Sequence, residues 1–169
     1  RNEMQGWVGL QFQLNAQTGG DLGKRMEHAF HSVFRRGVRK AIILGTDVPD
    51  LSAGIIDDTI SALDSCDIVI GPCQDGGYYL LGMKELHKEL FTDVPWSTDK
   101  VLKRTLDTVK ALGLTLHQLP TLADIDTEED LRRWFEANTT DKGHPVRAFV
   151  RSLDMSGTVR RFRDGGESP

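Results

Sequence analysis

The apolar positions of this chain switch between two periods, and the switching predicts its architecture. From Trp7 to Leu14 they recur every second residue, at Val8, Leu10, Phe12 and Leu14, which predicts a strand with one buried face. Asp21 then caps a helix to about Arg36, whose Leu22, Met26, Ala29, Phe30 and Val33 fall three and four apart; Gly37 stops it. The continuous run Ala41-Ile42-Ile43-Leu44-Gly45 predicts a short strand covered on both faces. Ser52 is the N-cap of a helix to about Leu63, Asp67 to Gly71 is a second buried strand, and Gly76 to Met83 is a third after a glycine turn. A long helix is predicted from Ser97 to Leu112, with Ser97 or Thr98 as its cap and Gly113 as its end. Leu114 to Gln118 makes a final strand. Thr127 to Ala137 makes a helix opened by the box Thr127-Glu128-Glu129-Asp130. Strands alternating with helices predict an α/β fold, a three-layer sandwich around a mainly parallel sheet.

Near Asn138 the periodicity fades. The last 32 residues carry six Lys or Arg against four Asp or Glu and end in Gly-Gly-Glu-Ser-Pro. The expected organisation is a domain over 1–137 and an appended, partly mobile segment over 138–169, with a short helix near Pro145 to Leu153.

Composition narrows the function classes. A net charge of −4 gives no electrostatic footprint for nucleic acid or an anionic membrane surface. No apolar run approaches the roughly 20 residues that span a bilayer, and the start carries no basic-then-apolar leader. The expected compartment is therefore cytoplasmic. Cys66 and Cys73 match no metal spacing and are too few for a disulfide framework, so both read as small apolar residues. An acidic protein that handles phosphates needs a cation or local basic groups.

Three segments could carry chemistry. In Ile43-Leu44-Gly45-Thr46-Asp47-Val48-Pro49-Asp50 a buried strand ends in an aspartate and a proline-bearing turn. Ligands of open α/β sheets bind beyond such strand ends, where a carboxylate can meet Mg²⁺ or Mn²⁺; Asp47 as a mere turn cap is the alternative. Gly71-Pro72-Cys73-Gln74-Asp75-Gly76-Gly77-Tyr78-Tyr79 places an acid and two tyrosines around two glycines that let backbone approach a ligand closely, or simply turn a hairpin. Ala123-Asp124-Ile125-Asp126-Thr127 sets two carboxylates at period two before a helix, able to face one cation or to serve as cap neighbour and solvated acid. Val94-Pro95-Trp96-Ser97-Thr98 offers aromatic and small polar groups for a pocket. His28 and His31 share a helix without making a zinc site, and no nucleophile elbow, phosphate-loop lysine motif or dinucleotide fingerprint is present.

In order, these segments resemble a known family. Gly20-Asp21-Leu22-Gly23-Lys24-Arg25-Met26, Ala29-Phe30 and Gly45-Thr46-Asp47-Val48-Pro49-Asp50-Leu51 carry the likeness. It continues through Gly71-Pro72, Asp75-Gly76-Gly77-Tyr78-Tyr79-Leu80, Leu90-Phe91, Trp96-Ser97-Thr98 and Asp124-Ile125-Asp126-Thr127 with Asp130-Leu131. Over residues 15 to 137 the chain resembles the bacterial glycosyltransferase-A-like proteins also called selenodomain-associated transferases. These are similar to the nucleotide-diphospho-sugar transferase superfamily, which includes sugar-nucleotide pyrophosphorylases and phospholactate guanylyltransferases. The resemblance implies that Asp47 is the metal-binding aspartate after the central strand, Asp126 a second ligand and Asp124 a helper. It implies an acceptor side lined by Asp75, Gly76, Gly77 and Trp96, with Asp75 orienting or deprotonating the acceptor. Asp21, Arg25, Thr46, Asp50 and Ser97 are expected near nucleotide or substrate.

Family members begin with a strand and a glycine-containing loop bearing a Lys-Thr-Arg-Leu-like sequence, which the chain lacks. Because it starts at Arg1, it reads as a fragment or processed product, incomplete at its N-terminus. An unpaired sheet edge is expected there, which dimerisation or added strands could cover. The implied activity is metal-dependent transfer from a nucleotide diphosphate-linked sugar to a small-molecule acceptor. The alternatives are a nucleotidyltransferase that releases pyrophosphate, and a non-catalytic binding or assembly module that has lost its donor loop.

Overall fold

A computed structural model of the chain describes residues 12–137 and 144–154. The expected strand from Trp7 falls largely outside them, and Phe12 to Leu14 form no strand. The elements run α1 (Leu22–Phe34), β1 (Ala41–Leu44), α2 (Ala53–Ala62), β2 (Ile68–Pro72), β3 (Tyr78–Met83) and a short 3₁₀ turn (Lys88–Phe91). They continue with α3 (Val101–Ala111), β4 (Leu116–Gln118), α4 (Glu128–Ala137) and α5 (Pro145–Asp154).

Local chemistry sets most of these boundaries. Asp21 Oδ1 accepts from Lys24 N at 2.8 Å to start α1, and Gly37 follows its end at φ +83°. Ser52 caps α2 by accepting from Ile55 N. Thr127 and Asp130 complete a reciprocal box at α4: Thr127 N donates to Asp130 Oδ2 at 2.9 Å, and Asp130 N to Thr127 Oγ1 at 3.2 Å. The long helix differs from expectation. It starts at Val101, not Ser97, because Ser97 sits at φ +62° and Thr98 Oγ1 closes a turn onto Pro95 O at 2.7 Å.

The four strands lie in the order β1-β3-β2-β4. The expectation of a mainly parallel sheet is corrected here, since β3 runs antiparallel to both β1 and β2 and only the β2–β4 pair is parallel. The cause is the short link between β2 and β3. A parallel crossover needs a dozen or more residues, whereas Cys73 to Gly77 suffices only for a hairpin. Gly76 makes that reversal at φ +90°, so close to the Asp99 backbone that a Cβ would fall 2.3 Å from its carbonyl oxygen. The register also shifts between Gly71 and Pro72, where proline supplies no N–H to the ladder.

Two apolar clusters flank the strands. Ile68, Ile70, Leu81 and Met83 pack with Met26 and Phe30 of α1, Val109 of α3, and Leu90 and Phe91. Val69 and Leu80 pack with Val48, Leu63, Tyr79 and Leu119. Each fully buried Leu, Ile or Phe contributes about 1.5–3 kcal/mol relative to exposure. β1 sends Ile43 to the first cluster and Ile42 and Leu44 to the second, yet it stays half-buried throughout because it is an edge strand among the described residues.

β4 is held by a polar clasp as well as its ladder. Thr115 Oγ1 and N both donate to Asp67 Oδ2, at 2.6 and 2.9 Å, and Lys84 Nζ lies 3.3 Å from Asp67 Oδ1. The Thr115 hydrogen bonds, with Lys84 in support, hold the Asp67 carboxyl down at about 2. An unfolded aspartate titrates near about 3.9, so the clasp stabilises fully above about pH 4 and is lost as pH falls toward 2. Thr115→Val is expected to cost about 1–2 kcal/mol at neutral pH in urea denaturation. Its deficit against the parent should shrink steadily between pH 4 and pH 2.

Candidate functional site

The C-terminal end of β1, the β2–β3 hairpin and the segment after β4 meet at one rim of the sheet. Gly45 N donates to Tyr79 O at 2.8 Å, and Ile125 N to Asp47 O at 2.9 Å. Gln74 N donates to Leu122 O at 3.1 Å, and Leu122 N to Pro72 O at the same distance. Tyr79 Oη reaches Pro120 O at 3.1 Å. These backbone ties fix where Asp47, Asp75, Asp124 and Asp126 stand, because each lies within three residues of a tie.

All four carboxylates line one cavity of about 800 Å³. Its far wall is α1, which contributes Arg25 and Met26, and its roof is Trp96, Ser97 and Thr98. Trp96 is pressed against α1 where Gly23 leaves room: a Cβ there would lie 2.4 Å from the indole Nε1. Asp75 is oriented by its own turn, with Gly77 N donating to its Oδ1 at 2.8 Å.

The electrostatics are one-sided. None of the four aspartates forms an ion pair among the described residues. Burial pushes the Asp124 carboxyl up from its ordinary value, and the neighbouring charges of Asp75, Asp126 and Asp47 push it further. Burial and the same group of carboxylates push the Cys73 thiol up to about 12. Ligand atoms of Cys73, Asp75 and Asp124 all lie within 4.8 Å of one another. The two carboxylates of this group offer hard oxygen donors, and Asp47 and Asp126 line the same cavity outside it.

The residues singled out in the sequence divide into two groups. Arg25, Asp47, Asp75, Gly77, Trp96, Ser97, Asp124 and Asp126 line the cavity. Asp21 caps α1, Gly76 packs against Asp99, Thr46 is exposed beside Asp47, and Asp50 accepts from Trp134 Nε1 at 2.9 Å. Sequence reasoning treated Cys73 as a small apolar residue and missed its place among the carboxylates. Its position two residues before Asp75, at the end of a buried strand, was the available signal.

A brace of residues behind the Asp47 turn was also missed. Trp134 of α4 binds Asp50 and meets His144 edge-on, with ring centroids 4.9 Å apart. His144 Nε2 donates to Pro49 O at 2.9 Å, while its Nδ1 accepts from Val146 N at 3.2 Å. Arg147 of α5 stacks its guanidinium 4.1 Å over the Phe135 ring and donates to the Phe135 carbonyl.

Residues 1–98 match the family described as an uncharacterized protein conserved in bacteria (DUF2064). The chain belongs to this family. A crystal structure from Desulfovibrio desulfuricans G20, of a candidate nucleotide-diphospho-sugar transferase, has the same fold, with a TM-score of 0.86 at 30% identity. The match covers 95% of this chain and 71% of that one. No curated protein matches this family member. Among its described residues no helix is long and apolar enough to cross a membrane.

Burying the Asp124 carboxylate beside three like charges costs the folded state something at neutral pH. Asp124 has its pKa raised on folding, so its ionisation opposes folding, and the penalty disappears as pH falls below the ordinary carboxylate range. Asp124→Asn is therefore expected to raise the unfolding midpoint at pH 7, by the equivalent of about 0.5–1 kcal/mol, and to leave it unchanged near pH 3. Differential scanning calorimetry at the two pH values measures both.

Proposed function

We propose that this protein transfers a sugar from a nucleotide diphosphate-linked donor to a small-molecule acceptor, with a divalent cation at the carboxylate rim. One observation carries the reading: four aspartates converge, without basic partners, on a cavity that also holds a basic and aromatic wall. The fold shared with the candidate nucleotide-diphospho-sugar transferase supports it.

The donor set fits Mg²⁺ or Mn²⁺, hard cations that take oxygen ligands and bridge phosphates. Asp124, from the group within ligating reach, together with Asp47 and Asp126 of the same cavity wall, would hold the ion, which when bound neutralises charge gathering on the diphosphate leaving group. The chain's own groups do the rest. Arg25 faces the diphosphate, and Trp96 and Tyr78 supply apolar surface for base or sugar. Asp75, held by the Gly77 N–H, takes the proton of the attacking hydroxyl. The brace from Trp134 and His144 keeps the Asp47 turn from drifting under charge repulsion.

A thermal-shift screen with UDP, GDP, CDP and ADP, with and without Mn²⁺, tests the reading. A ligand near 100 times its dissociation constant adds about 2.7 kcal/mol of stability. The expected result is a shift that needs both one nucleotide and Mn²⁺ and that Asp47→Asn abolishes. A shift indifferent to Mn²⁺ or to Asp47→Asn would remove the metal from the account. Pyrophosphate as the released product would replace sugar transfer with nucleotidyl transfer.

A further inference from the structure

We infer that a second, smaller cavity sharing the carboxylate wall is the acceptor pocket, and that it takes a neutral or cationic polyol or amino alcohol, not an anion. This pocket stands in place of the acceptor side expected at Gly77 and Trp96, which line the larger cavity. The inference rests on the transferase reading above and names the second substrate's class.

The cavity measures about 390 Å³, within the range of small-molecule sites. Asp75, Asp124 and Asp126 line both it and the larger cavity. Molecules held in the two spaces therefore border the same three side chains, as the partners of a transfer reaction must. The walls differ in kind. The larger cavity has Arg25, Arg36 and several aromatic rings, which suit a nucleoside diphosphate. The smaller one adds Gln74, Ala123, Asp130, Arg133 and Trp134 to the shared aspartates.

Charge decides the class. Four aspartates against one arginine leave three negative charges on the smaller wall, and a divalent cation would still leave one. Arg133 is not free to receive an anion, since Nε lies 3.3 Å from Glu129 and a terminal nitrogen 3.7 Å from Asp130. A phosphate or carboxylate brought here would face like charges at close range, which disfavours its binding. Hydroxyl and ammonium groups instead find acceptors in the carboxylates, and the Gln74 carboxamide offers both donor and acceptor.

In the step itself, an acceptor oxygen bonds to the sugar's anomeric carbon as that carbon's bond to the diphosphate oxygen breaks. The electron pair leaves with the nucleoside diphosphate, and the acceptor's proton passes to the Asp75 carboxylate.

The experiment follows nucleoside diphosphate release by the full chain from UDP-glucose, GDP-mannose and ADP-glucose with Mn²⁺. Glycerol and serinol serve as neutral and cationic acceptors, glycerate and glycerol phosphate as anionic ones of similar size. The first pair is expected to stimulate release with a kcat/KM at least tenfold above the second. Ala123→Phe, which fills the smaller cavity, should reduce that stimulation at least tenfold while the nucleotide-dependent thermal shift persists. Anions that work as well, no stimulation by either pair, or stimulation unaffected by Ala123→Phe would each overturn the acceptor assignment while an intact thermal shift left the donor reading standing. A chain that binds no nucleotide would fail the donor reading itself, and this inference with it.

Discussion

Everything in this molecule follows from one antiparallel strand placed between two that run the other way. With β3 inserted between β1 and β2, the ends of β1 and β2 and the segment after β4 arrive at the same rim. Gly76 makes the insertion possible, because no residue with a side chain could sit at φ +90° against the Asp99 backbone. Remove that reversal and Asp75 leaves Asp124, Gly45 loses its bond to the Tyr79 carbonyl, and the cavity has no floor.

The rim so built is a place where function opposes stability. Burial, with the neighbouring aspartate charges adding to it, raises both the Asp124 carboxyl and the Cys73 thiol. Such clustering persists only where the surroundings fix it. Here backbone bonds from Gly45, Ile125 and Leu122 hold the rim from inside, and Trp134, His144 and Arg147 hold it from behind. The arrangement has the logic of a preorganised site: polar groups are aimed before the ligand arrives, and the cost is met by packing elsewhere. A cation is the simplest ligand that converts the repulsion into binding energy.

Much of the fold was legible in the residues. Asp21, Ser52 and the Thr127–Asp130 pair begin helices where their chemistry says they should. The strand direction was not legible, because a buried apolar run such as Tyr78 to Met83 reads the same whichever way it points, and only the length of the preceding turn discriminates. The start of α3 was misplaced because Ser97 looks like an N-cap but adopts a left-handed conformation that no propensity indicates. At the site, the aspartates were readable from their positions after strands and before a helix. Cys73 carried a signal only in its place two residues before Asp75, and the His144–Pro49 contact carried none, since it joins residues 95 positions apart.

The central claim is that the aspartate rim binds a divalent cation and a nucleoside diphosphate as one coupled unit. The most direct measurement is an electron paramagnetic resonance titration of Mn²⁺ into the chain, alone and with a saturating nucleoside diphosphate. Coupling is reciprocal, so the nucleotide should tighten Mn²⁺ binding by at least about tenfold, corresponding to about 1.4 kcal/mol. Mn²⁺ affinity unchanged by every nucleotide, in a chain that remains folded, would contradict the account.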